Sequence, residues 1–449
     1  MKKFPVLLLL LVTFLFSPIT QAIQAGHLYD SPATAVKIFD DNSKENLHQK
    51  TFDIVWRTVN EKHFDPTFGG VDWAKVREDY RPRLASVKTD AELYQLLQQM
   101  LGELKQSHFN IIPPEAIPPD NIKEPQMGGV GIEVQMIDGQ AVITRLEENS
   151  PAARAGIRTG FIVKQVDDTV VDQVIQKFDK AARLSSAMKR LQTGRAVFDK
   201  VLGKPDTEVR LVYLDERSRQ REITLRRERL KGEMSSRIGN FPPRYSEFES
   251  KRFTNGIGYI RFNIFTLNLL GRIQNAIREM SDAPGLIFDL RGNPGGIGAM
   301  ATNIASVLEN RRVSLGTMKM REGQNEFRVS PQKDAYQGPV IILLDGRSGS
   351  TSEVFASGMQ ESGRAVIVGE RSVGAALPSI IQKLPTGALL QCAIADFRTP
   401  KGVLIEGRGV IPDVEALLSR NVLLKGRDPQ LEAAIEQVQK RSAAARRAA

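Results

Sequence analysis

Cysteine is all but missing from this chain. Cys392 stands alone among 449 residues, which excludes an intrachain disulfide, a cysteine-based zinc site and CxxC redox chemistry in one step. Histidine is scarce too: His27, His48, His63 and His108 are the full set, with no HExxH among them, so no metal site is expected. Neither charge sign dominates. The 62 Lys and Arg against 52 Asp and Glu leave +10, spread along the chain with a share at Lys2, Lys3, Lys440, Arg441, Arg446 and Arg447. No recognition motif accompanies that surplus, so nucleic acid is not an expected partner. The uncharged run from Phe4 to Phe16 falls short of the ~20 residues of a membrane span. It follows Met1-Lys2-Lys3 and precedes small residues up to Ala22, the pattern of a cleavable signal over residues 1–22. No cysteine follows it to take a lipid. The mature protein is therefore expected in the periplasm or secreted, with no stable membrane span after cleavage.

What is present is the composition of a soluble globular protein, with 41% apolar residues and length for two to four domains. Phe52, Val55, Trp56 and Val59 recur at helical spacing, and Asp72 to Tyr80 is expected as a second short helix. Thr89 to Glu92 has the form of a capping box ahead of a stripe of Leu93, Leu96, Leu97, Met100, Leu101 and Leu104. An N-terminal helical domain over 36–125 follows, closed by the prolines between Pro113 and Pro125.

From Met127 to Arg229 the pattern changes to short strands with turns: Val130–Val134, Asp138-Gly139, Ala141–Arg145, Val209–Leu214 and Arg221–Leu225. Within them lies Ser150-Pro151-Ala152-Ala153-Arg154-Ala155-Gly156-Ile157. With Gly129-Val130-Gly131-Ile132 and the Asp167-Asp168 turn, this region, 127–229, resembles a mostly β PDZ domain of the kind attached to bacterial proteases. Two departures are Phe161, where such domains carry Asp, and a long helical stretch from Val174 to Gly203. The resemblance implies that Gly129, Val130, Gly131 and Ile132 bind a peptide added as a strand. The alternative is a module that only packs against its neighbours.

From about 230 to 425 strands alternate with helices, an α/β core, and a final amphipathic helix through Leu431, Ala434, Ile435 and Val438 belongs to a C-terminal stretch, 426–449. The strand Val340–Leu344 runs into Asp345-Gly346-Arg347-Ser348-Gly349-Ser350 and a helix starts at once. A serine on such a turn has an exposed hydroxyl at the positive helix end, which suits a nucleophile. Ser350 and Glu353 also fit a capping box, which would make the serine a mere cap.

Asp289-Leu290-Arg291-Gly292-Asn293-Pro294-Gly295-Gly296 resembles the DLRxNxGG segment of the C-terminal processing and tricorn peptidases, and Ser350 to Glu370 resembles their nucleophile segment. The fold this implies is multidomain α+β: a helical domain, a PDZ domain and an α/β peptidase core over 230–425. Where the processing branch places a lysine base, this chain has Ala375. The tricorn-like branch instead implies His108 as base, with Glu406 and the linking Ser107 orienting it, and Ser350 as nucleophile. Thr351 with Gly295 or Gly296 would supply the oxyanion N–H groups. A structural reading is kept for His63, and for Glu406 an alternative as a loop carboxylate pairing with Arg408. The implied activity is a serine endopeptidase without cofactor, acting on unstructured or C-terminal segments of polypeptides. Its rival is a catalytically silent scaffold that binds peptide or ligand. A histidine base would put an acid limb of activity near its ordinary ~6.5.

Overall fold

The computed structural model describes residues 11–13, 41–180 and 186–448. Apart from Leu11–Thr13, the expected signal segment lies outside the described residues.

The core sheet runs in the spatial order 248–252, 258–262, 286–289, 340–344, 365–369 and 414–415; the first pair is antiparallel and the others are parallel. Strand Val340–Leu344 is apolar at every position because both faces are covered. Val340, Ile342 and Leu344 point into a core shared with helices Leu267–Glu279, Ala299–Ser306 and Thr351–Glu361. Ile341 and Leu343 face Ala434 and Val438 of helix Pro429–Ala448 on the other side. The sequence pattern predicts strands over 257–265, 285–290, 340–344, 365–368 and 389–395, and each appears within a few residues. Strands Val313–Met320, Gln324–Val329 and Ser379–Lys383 were not anticipated.

The helical region begins at helix Asp41–Lys62, followed by Trp73–Tyr80, capped by Asp72, and Asp90–Gly102, whose Thr89–Glu92 capping box forms as expected. It does not fold around a core of its own. Phe52, Val55, Leu93, Leu97 and Met100 share one cluster with Leu377, Leu390 and Cys392, and strand Asn110–Ile112 pairs antiparallel with Leu389–Ala393. The proline-rich stretch is thus a boundary in composition but not in packing. His63 is structural, as expected: it is buried, stacked on Phe64 and Phe109, and bonded to Gln106.

Residues 127–229 carry a sheet in the order 132–137, 140–146, 162–166, 208–214, 220–226 around a separate core. The long helical stretch is two helices, Val171–Asp179 and Ser186–Val201. The second lies over the outer strand: a Cβ on Gly194 would be 3.6 Å from the main-chain nitrogen of Met136.

Candidate active site

Ser350 occupies the turn between strand 340–344 and helix 351–361, at φ 58° and ψ −119°, a conformation costly for a residue with a Cβ. The surroundings fix it. Its N–H donates to Ala375 O (3.0 Å) and Glu353 Oε2 (2.9 Å), and the Glu353 N–H bonds the main-chain oxygen of Ser350 at 2.8 Å. Only the carboxylate half of the capping box is therefore used; the Ser350 hydroxyl bonds no described residue. That hydroxyl is not exposed, as the turn alone would imply. Ser350 is fully buried, beside a strand edge, Gly295–Ile297, to which Leu11–Thr13 is paired antiparallel, with Leu11 also opposite Ser379.

His108 follows helix Asp90–Gly102 in a tight loop where Lys105 and His108 both take positive φ. Its Nδ1 lies 2.7 Å from Ser107 Oγ, which donates to Glu406 Oε2 at 2.9 Å. The Ser107 N–H donates to Glu406 Oε1 (2.9 Å) and the Ala376 N–H to Oε2 (3.1 Å). A hydroxyl carries one proton, and Ser107 gives it to the carboxylate, so Nδ1–H must supply the hydrogen of the other bond. Nε2 is then left with its lone pair, the tautomer of a base. Burial pulls His108 down to about 3 and pushes the half-buried Glu406 carboxyl upward. Glu406 does not pair with Arg408. It reaches Ser350 through two consecutive residues, Ala376 and Ala375, the latter standing where the processing branch has its lysine.

The Gly292–Gly296 loop lies against this turn. A Cβ on Gly295 would come within 2.6 Å of Ser350 Cβ and 2.7 Å of Thr351 N, and its φ is +102°, so only glycine fits there. The Gly295 N–H, however, donates to Asn293 Oδ1 at 2.9 Å. It is already committed within its own loop. Asn293 itself went unread in the sequence although it is fully buried and organises the loop, with Nδ2 on Phe262 O and its carbonyl accepting from Gly349 N and Ser352 Oγ. Glu353, read only as a cap, is buried and also accepts from Ser372 Oγ, Gly374 N and Ala375 N, with burial raising it to about 7.

At the expected peptide-binding segment, Gly128–Gly129 pairs with Glu228–Arg229, Val130 O accepts from Ala152 N, Gly131 O accepts from Glu147 N, and Ile132 is opposite Leu146.

Residues 256–416 match peptidase family S41, and residues 45–102 match the tricorn protease C1 domain. The chain carries a family S41 domain and is a serine-type peptidase. A carboxyl-terminal-processing protease of Synechocystis sp. is 26% identical over 392 residues, covering 85% of this chain and 84% of its own. Among solved structures, a photosystem II D1 C-terminal processing protease is similar with TM-score 0.55 and 24% identity, over 86% of this chain and 95% of its own. The tricorn protease shares the fold with TM-score 0.51 and 19% identity, over 88% of this chain and 37% of its own. No helix among the described residues is long and apolar enough to cross a membrane.

Proposed function

We propose that this S41 peptidase is a secreted or periplasmic endopeptidase that uses Ser350 as nucleophile and His108 as base, and cleaves unstructured or C-terminal segments of polypeptides. The observation that carries the reading is the Glu406–Ser107–His108 chain of bonds, which leaves Nε2 as acceptor. Nε2 takes the Ser350 hydroxyl proton as Oγ attacks the amide carbon. The Thr351 and Gly296 N–H groups hold the resulting oxyanion. The proton passes to the departing amine, leaving an acyl-enzyme that water, deprotonated by the same imidazole, then hydrolyses. Ser350 Oγ bonds no described residue, so its contact with the base forms as substrate seats, as catalytic bonds often tighten on binding. The pairing of Leu11–Thr13 with Gly295–Ile297 supports a slot that takes extended backbone. Residues 127–229 fit a PDZ module whose Gly129–Ile132 segment meets the substrate, with entry at that end because helix 186–201 lies over Gln135 and Met136.

The test is fluorophosphonate labelling and casein digestion by the mature protein. Labelling at Ser350, lost in Ser350→Ala and His108→Ala, is the expected result. A chain that binds peptide but neither labels nor digests would be the silent scaffold.

A further inference from the structure

Strand 132–137 carries one residue that reaches beyond its own sheet. A register shift follows Glu133, which is opposite Arg145, while Val134 is opposite Ile143; such a bulge re-aims a side chain. Glu133 points into the peptidase core. Its Oε1 accepts from Arg261 of the core sheet at 2.6 Å and from Arg145 at 3.2 Å, and its Oε2 accepts from Arg347 at 3.2 Å. Burial would raise this carboxyl, yet Arg261, Arg347 and Arg145 together bring it down to about 2, so it is a fixed anion.

Arg347 is the next link, three positions before Ser350. Its guanidinium bonds Asp345 Oδ2 through Nε at 3.0 Å, and its N–H bonds Asp345 Oδ1 at 2.9 Å. The same guanidinium lies over Gly292, where a Cβ would be 3.2 Å from its central carbon. Asp345 Oδ1 accepts from the Gly292 N–H at 2.9 Å. Asp345 thus ties the Ser350 turn to the Gly292–Gly296 loop, and Arg347, which lies over that junction, is held by two carboxylates: its neighbour Asp345 at 2.9 Å and Glu133 from a different part of the fold.

We propose that Glu133 is a positioning residue for the peptidase reaction: through Arg347 it holds the nucleophile turn, Asp345–Ser350, against the Gly292–Gly296 loop. Without it, Arg347 would keep only Asp345 and Arg261 only Asp289 as counter-charge, the carboxylate that lies between the two guanidiniums would be gone, and Arg347 would shift off Gly292. The inference rests on the serine-peptidase reading for its kinetic consequence, though not for its structural one.

Glu133→Gln keeps the shape and removes the charge. With a short chromogenic peptide, kcat should fall about 10²-fold, the scale of a small misplacement of reacting groups, while KM stays within about twofold, because the variant leaves every group that binds the peptide in place. In an Arg347→Met background the same change should have no further effect on kcat, since its route is already cut. Hydrogen exchange should quicken at the amides of 292–296 and 345–351 in Glu133→Gln and stay unchanged in helix Leu267–Glu279. Unaltered exchange in those two loops, or equal losses from Glu133→Gln in both backgrounds, overturns the inference. The exchange measurement needs no turnover, so it decides on the tether even where the peptidase reading fails.

Discussion

Gly295 approaches Ser350 so closely that a methyl group on the glycine would stand 2.6 Å from the serine Cβ. The Gly292–Gly296 loop and the Ser350 turn thus meet with no room for one added carbon atom between them. Gly295→Ala should therefore displace Thr351 and the following helix start, lowering kcat/KM by about 10²-fold or more, the scale of a lost oxyanion donor. Peptide hydrolysis with circular dichroism measures it. A folded Gly295→Ala enzyme of wild-type activity would mean that the loop is not part of the site.

Ser350→Ala should abolish turnover with little change in stability, within ~1 kcal/mol, because the hydroxyl bonds no described residue. Ser352→Ala should behave in the opposite sense. Its Oγ donates to Asn293 O in a buried setting, so the melting temperature should drop while the nucleophile remains. Thermal melts and fluorophosphonate labelling of both variants read the two effects apart.

Ser107→Ala removes the hydroxyl between His108 and Glu406. Nδ1–H then has no acceptor in Ser107, the tautomer is no longer enforced, and kcat should fall by about 10²-fold or more, within the range of general-base effects. Ser107→Thr, which keeps the hydroxyl, should recover much of the rate. Equal activity in Ser107→Ala and wild type would place the base elsewhere.

The acid limb of kcat/KM should lie below the ~6.5 of an ordinary histidine, not near it as the sequence alone suggests. The base works in its neutral form, and desolvation pulls His108 down to about 3, so the neutral form persists to lower pH and the limb moves to the acid side. A pH profile that already falls at 7 and is unchanged by Glu353→Gln would contradict this account of His108. The Glu353 arm matters because that buried carboxyl, raised to about 7, bonds the Ser350 N–H directly.

The sequence was most readable where the physics is local. The Thr89–Glu92 capping box and the all-apolar strand Val340–Leu344 are set by residues within a few positions and form as anticipated, as does the strand-to-helix turn at Ser350, though not the exposure of its hydroxyl. Of the residues in the motif loops, Ser107, His108 and Glu406 are joined by hydrogen bonds, and Gly295 lies against Ser350. What stayed hidden depends on partners far along the chain. Strand Val313–Met320 has mixed burial and the irregular register of a bulge, so it lacks clean alternation. The commitment of the Gly295 N–H to Asn293 is a single buried hydrogen bond, invisible to any periodicity. Glu133, a lone acid in a strand, gives no hint of the three arginines that surround it.

The cluster that joins Phe52, Leu93, Leu97 and Met100 to Leu377, Leu390 and Cys392 also governs how the enzyme wears out. The imidazole hangs from one half of that cluster, while Ala376, which donates to Glu406, adjoins the other half. Neither half can loosen without baring the greasy side of its mate, so heat should strip helicity and rate constant along a single curve, and no warmed, partly melted form should survive that still cuts.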